Sequence, residues 1–140
     1  MLVSRREVEI EWGDCDPAGI VFYPRYFAMF DASTALLLER ATGMKKIAWT
    51  KKFGIVGIPM VDTRAKFIVP SRYGDLIAIE TRATRLGRSS FDVEHRVLKS
   101  ETLAIEAQET RVWAGRDPDD PDGIKGMPIP EEVVRALKAD

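Results

Sequence analysis

Residues 23–43 read YPRYFAMFDASTALLLERATG. Pro24 fits the first position of a helix, where its missing N–H has no partner to lose. From Phe27 onward the apolar positions Phe27, Phe30, Thr34, Leu37, Leu38 and Ala41 fall three or four apart. That spacing makes one buried stripe on a helix of about five turns, and Gly43 supplies a left-handed stop. On both sides of this helix the period changes to two. Upstream, over residues 3–12, Val8, Ile10 and Trp12 alternate with Glu7, Glu9 and Glu11, the pattern of a half-buried strand. Downstream, KKIAWTKKF predicts a short helix before Gly54. Val61, Thr63, Ala65, Phe67 and Val69 then alternate with Asp62, Arg64 and Lys66.

Turn-forming PSRYGD leads into DLIAIETRATRL, and GRS leads into FDVEHRVLK and TLAIEAQETRVWA, so hairpin follows hairpin. DPDDPDG reads as a solvated loop, and EEVVRALK after Pro130 as a closing helix. The expectation is a single α+β domain over residues 1–140, with one long helix on a five-stranded antiparallel sheet. One helix does not cover both faces of such a sheet, and a second copy of the chain is the expected cover.

The chain of 140 residues carries 21 Lys and Arg against 22 Asp and Glu, a formal charge of −1. Near-zero charge argues against nucleic acid as a partner, since phosphates are neutralised by an excess of cations. No run approaches the ~20 apolar residues of a membrane helix, so no membrane partner is expected. The single cysteine, Cys15, excludes an internal disulfide and a cysteine-rich zinc site, and the expected location is cytoplasmic. No G-x-S-x-G elbow, P-loop, G-x-G-x-x-G turn or H-E-x-x-H pair occurs. With His95 as the one histidine, in a strand pattern with Phe91, Val93 and Val97, no metal site is expected. His95 reads as a packing residue.

Chemistry concentrates in GDCDPAG, residues 13–19. Asp14 and Asp16 precede a helix N-terminus, which favours negative charge and offers free N–H groups to an oxyanion. Asp14 fits a cap or turn former. Asp16 lies too far upstream to cap a helix beginning at Pro24. Cys15, between two carboxylates that oppose a thiolate, reads as a small packing residue.

The stretch IEWGDCDPAGIVFYPRYFAMFDAS, residues 10–33, resembles the signature of the 4-hydroxybenzoyl-CoA thioesterase family, a branch of the hotdog-fold acyl-CoA thioesterases. FGIVGIPMVDTRAKFIVPSRYGDLIAIET and RLGRSSFDVEHRV resemble the same family's later strands, in colinear order. The resemblance implies a helix wrapped by the sheet, a homodimer or homotetramer with active sites at the subunit interface, and hydrolysis of an aromatic acyl-CoA such as 4-hydroxybenzoyl-CoA. Coenzyme A then belongs to the substrate, and no cofactor is expected.

By the same resemblance Asp16 is the catalytic carboxylate, either nucleophile or general base, and the Tyr23 backbone N–H donates to the oxyanion. Asp31 lines the acyl pocket, where it can accept a hydrogen bond from a ring hydroxyl; the alternative is an ion pair with Arg40 or Lys45, or a dimer contact. Ile58 occupies a pocket position that relatives can fill with Thr. Arg88, Ser89 and Ser90 match the nucleotide-binding turn, with Gly87 where relatives tend to carry another base, although GRSS is equally a hairpin turn. Tyr23-Pro24-Arg25-Tyr26 departs from the Tyr-His-x-x-Tyr run of the Tol-Pal-associated thioesterases, which act on short aliphatic acyl-CoA or acyl carrier protein. That branch and a non-catalytic acyl-binding hotdog domain are the two alternatives.

Overall fold

The computed structural model describes residues 1–140. β1 (Val3–Glu9) leads through a single 3-10 turn at Trp12–Asp14 to α1 (Pro24–Thr42), which Gly43 ends at φ 71° in the left-handed region. α2 (Lys46–Phe53) ends in the same way at Gly54, φ 65°. Four strands follow: β2 (Met60–Phe67), β3 (Leu76–Leu86), β4 (Ser90–Lys99) and β5 (Thr102–Val112). A small hairpin of β6 (Ala114–Arg116) and β7 (Ile124–Gly126) brackets the DPDDPDG loop, and α3 (Glu131–Lys138) closes the chain.

The sheet is antiparallel throughout, in the order β1-β3-β4-β5-β2. This is the expected α+β architecture, one long helix on a five-stranded sheet. α1 lies across the face that carries Ile77, Ile79 and Ala83 of β3, Phe91, Val93 and Val97 of β4, and Ile105 and Ala107 of β5, all buried. The apolar core divides in two along the helix. Ile10, Tyr26, Phe30, Ile77, Val97 and Ile105 gather near its start, whereas Leu37, Leu38, Trp49, Phe91, Trp113 and Leu137 gather near its end.

Two expectations change. The strand at the N-terminus stops at Glu9; Ile10 is buried, but Trp12 lies outside the strand, 77% exposed, because the 3-10 turn reverses the chain there. The buried helix stripe is centred slightly to one side of the expected one. Tyr26, Met29 and Ser33 are buried, while Phe27 and Ala41 are only half-buried.

The sheet is covered by α1 on one face and left open on the other. Its far face is charged, with Arg5 pairing Glu80 at 2.9 Å, Arg82 pairing Glu94 at 3.1 Å and Arg64 donating to Gln108 at 2.8 Å. Such a face carries its own counter-ions. The apolar surface left open is instead at the β2 edge. Val61 is 64% exposed, Met60, Phe67 and Ile68 are also exposed, and only Ala65 within β2 is half-buried. β2 pairs on one side only, and Phe67 at its end meets Tyr26 and Phe27 of α1, with ring centroids 5.8 and 6.4 Å apart.

Candidate active site

The segment before α1 folds into a tight loop. Cys15 and Val21 form an antiparallel bridge, the Asp16 N–H donates to the Ile20 carbonyl at 2.9 Å, and the Gly19 N–H donates to the Asp16 carbonyl at 2.9 Å. Gly19 closes this turn at φ 81°, a conformation costly for any residue with a Cβ. Within the loop the Asp16 Oδ1 accepts from the Ala18 N–H at 2.9 Å, which orients the side chain and leaves Oδ2 without a partner in the chain. Asp16 is half-buried and opens on a cleft of about 480 Å³ walled by Trp12 and Tyr73, whose rings meet edge to face at 5.7 Å.

Asp14 has a different task. Its Oδ2 accepts from the Glu11 N–H at 2.9 Å, bracing the 3-10 turn, which is the capping role its position suggested. Cys15 is half-buried, its thiol directed at the Glu11 carbonyl, 3.7 Å away.

Two residues beyond the bridge, Tyr23 sits at the N-cap of α1. Its backbone N–H donates to no group of the chain, and Pro24 offers none. An unspent N–H at the start of a helix 19 residues long can hold a developing negative charge. Tyr23 borders a mostly apolar cavity of about 150 Å³ with Tyr26, Phe67 and Ile68.

Asp31 lies two turns further along α1, about 12 Å by helix rise. Its side chain is 57% exposed and its Oδ1 accepts from Arg111 Nη2 at 2.8 Å. The two cations expected as partners are engaged elsewhere, Arg40 with the Ser4 hydroxyl and Lys45 with Glu39. Ile58 is buried, 5% exposed, packed in the core beside Leu37 and Phe91; its carbonyl accepts from Arg111 Nη1 at 3.0 Å. The structure thus joins Asp31 to Ile58 through a residue that the sequence did not single out.

Arg111 leads into a buried polar line. Its Nε and Nη2 grip the Glu109 carboxylate at 2.8 and 3.3 Å; Glu109 accepts from the Thr34 hydroxyl at 2.8 Å and lies 3.1 Å from His95 Nε2. His95 Nδ1 meets the Thr81 hydroxyl at 2.8 Å, and the imidazole stacks on Phe30 with centroids 4.8 Å apart. Burial alone would push the Glu109 carboxyl up, but hydrogen bonds from His95 and Arg111 outweigh it and bring it down to about 2. An ionised Glu109 beside Nε2 places a proton on that nitrogen. His95 therefore packs, as its strand pattern implied, and also donates. Parity could have flagged Glu109 and Arg111, because both share the face of Ile105, Ala107 and Trp113.

Arg88, Ser89 and Ser90 occupy the β3–β4 turn, closed by the Gly87 N–H donating to the Ser90 carbonyl at 2.8 Å. Arg88 is exposed and makes no ion pair. The Ser90 hydroxyl accepts from Arg85, which also grips Asp92 through two contacts. A Cβ at Gly87 would come within 2.8 Å of Arg85 Nη1 and 3.0 Å of the Ser90 carbonyl, so glycine suits this tight turn.

The chain does not bring all these residues together. The Asp16 loop is anchored near the start of β3, where the Ile10 N–H donates to the Asp75 carbonyl and Arg72 reaches the Gly19 carbonyl, whereas Arg88 follows the end of β3. The two stand at opposite ends of a strand about 30 Å long.

The Thioesterase-like superfamily matches residues 10–137. The chain is 32% identical over 130 residues to the 4-hydroxybenzoyl-CoA thioesterase of Pseudomonas sp. (strain CBS-3), covering 89% of this chain and 90% of that one. The chain belongs to the 4-hydroxybenzoyl-CoA thioesterase family. Its fold follows this hotdog family closely. A 4-hydroxybenzoyl CoA thioesterase variant complexed with 4-hydroxybenzoyl CoA superposes with a TM-score of 0.88 at 29% identity, covering 97% of this chain and 99% of that one. A gentisyl-coenzyme A thioesterase superposes at 0.81 with 28% identity, covering 97% and 100%. This hotdog protein is accordingly an acyl-CoA thioester hydrolase. None of its helices is long and apolar enough to cross a membrane.

Proposed function

We propose that the chain hydrolyses an aromatic acyl-CoA with a hydroxylated ring, such as 4-hydroxybenzoyl-CoA. Asp16 is the carboxylate, the Tyr23 amide the oxyanion donor, Asp31 and Ile58 belong to the acyl end, and Arg88, Ser89 and Ser90 meet the coenzyme. The observation that carries the reading is that one short stretch, residues 16–23, holds both a carboxylate oxygen without a partner and an amide N–H without an acceptor. As nucleophile, Asp16 adds to the thioester carbon while the carbonyl oxygen gains charge against the Tyr23 N–H. The C–S bond then breaks, coenzyme A leaves as thiolate and takes a proton, and water cleaves the resulting anhydride to return the carboxylate. As general base, Asp16 takes a proton from water, which attacks the same carbon directly; the C–S bond breaks, and the departing thiolate takes the proton and frees the carboxylate. Both routes use the same two groups and need no cofactor beyond the coenzyme A of the substrate.

The working unit is a homodimer or homotetramer. Asp16 and Arg88 stand at opposite ends of β3, which favours a site completed by a second copy, and the exposed apolar residues of β2 supply an edge for pairing. Thiol release from 4-hydroxybenzoyl-CoA, benzoyl-CoA and an aliphatic series tests the reading. The parent should favour the aromatic substrates, and Asp16→Asn should lose about 100-fold or more in kcat. Near-normal turnover by that variant would remove Asp16 from the mechanism.

A further inference from the structure

Arg111 is 3% exposed, an unusual place for a cation. Its donors are nearly all spent, with Nε and Nη2 on Glu109, Nη2 on Asp31 and Nη1 on the Ile58 carbonyl. A guanidinium is a rigid planar fork, so these bonds are made together or lost together. Glu109, 1% exposed at its side chain, is fixed in turn by Thr34 and His95. The orientation of Arg111 is therefore set from behind, by groups that never reach the surface.

A buried ion pair is a poor way to gain stability, because apolar residues of equal size often serve as well. Asp31, by contrast, is more than half exposed and needs no partner to stay ionised in water. The buried arm reaching out to a surface carboxylate fixes something that stability does not require. What it fixes is direction: Oδ1 is held by Arg111, and Oδ2 has no partner in the chain.

We infer that Arg111 is a positioning residue for the acyl end of the site, clamping Asp31 by one oxygen and the Ile58 carbonyl at once so that Asp31 Oδ2 faces a hydroxyl on the acyl ring. This rests on the aromatic thioesterase reading above. Selection for the hydroxylated ring is then set by a residue that does not touch the substrate. Lysine at 111 keeps the charge, but its one nitrogen does not span the separate positions that Nε, Nη1 and Nη2 occupy, so Asp31 is released while Glu109 keeps a counter-ion.

The test is kcat/KM for 4-hydroxybenzoyl-CoA over benzoyl-CoA in the parent, Arg111→Lys, Asp31→Asn and the double variant. Circular dichroism is run on each, and Glu109→Gln serves as a second way to loosen Arg111 should Arg111→Lys not fold. A hydrogen bond to a carboxylate predicts a parental preference of about tenfold or more for the hydroxylated substrate. Arg111→Lys should reduce that ratio to within about threefold of unity through a rise in KM for the hydroxylated substrate, and adding Asp31→Asn should reduce it little further. A merely structural Arg111 would lower both substrates alike; an unchanged ratio in the folded variant, or independent effects of the two substitutions, overturns the inference. A parent that hydrolyses both aromatic substrates without preference also overturns it, leaving the thioesterase reading intact. Hydrolysis confined to aliphatic acyl-CoAs overturns the aromatic reading itself.

Discussion

Two carboxylates on the same stretch of chain are kept in opposite ways. Asp16 sits in an exposed loop, held by a backbone N–H, and no cation stands within ion-pair distance. Asp31 sits mid-helix and is gripped by a buried arginine that is itself fixed by Glu109. The difference separates two demands. In the roles proposed for them, a carboxylate that forms and breaks a bond needs a free lone pair and no counter-ion to blunt it, whereas one that reads shape needs a fixed direction. Local turn chemistry suffices for the first. The second takes a connection across the core, from β5 to α1.

The contrast is broken most forcefully at Arg111. Arg111→Met leaves Glu109 buried without its cation, and chemical denaturation should show a loss of about 3–5 kcal/mol. Asp16→Asn in the same assay should leave stability within about 0.5 kcal/mol, because its loop bonds survive the change. Equal losses would dissolve the distinction.

A gentler probe is acid. The Glu109 carboxyl is held down at about 2 in the folded chain, against an ordinary value of 4.5. Its contribution to stability is complete above pH 4.5 and is lost as pH falls through that window toward 2. The melting temperature of Glu109→Gln should therefore fall less steeply over the same interval than that of the parent. Asp75, held below the ordinary range by the Arg72 backbone N–H and by Lys99, and Asp92, held there by the Arg85 side chain, keep some slope in both proteins. The smallest effect is expected at the exposed turn: Arg88→Ala should raise KM by about tenfold or less, with a smaller rise at high salt, since an exposed cation is screened. A fall in kcat there would move Arg88 from binding into chemistry.

How much of this was legible in the sequence follows from the range of each interaction. The spacing of Phe30, Leu37 and Leu38 defined α1, and the alternation of Phe91, Val93 and Val97 defined β4, because periodicity is local. The proposal that Asp16 works with the Tyr23 N–H came through resemblance to a family motif that is itself contiguous. The Asp31–Arg111 bond spans 80 residues, and no local pattern announces it. Parity tells which residues of β2 share a face, but not how much of that face α1 covers; Phe67 meets Tyr26 and Phe27 yet stays 47% exposed, and Val61 is 64% exposed, where alternation alone would bury both. Trp12 continued an alternation that the 3-10 turn had already ended.

The polar line beneath α1 also bears on how β5 finds its place. Strand faces repeat every two residues, so a slip by one position would turn Glu109 and Arg111 outward and bring Gln108 and Thr110 beneath the helix. Apolar strands can tolerate near-misses in alignment because one aliphatic contact resembles another. Here His95, Thr34 and Asp31 would all lose their partners at once. The same bonds that aim a side chain at the surface therefore act during folding as a key with one fit, admitting a single alignment of β5 and leaving misaligned chains with charges that have nowhere to go.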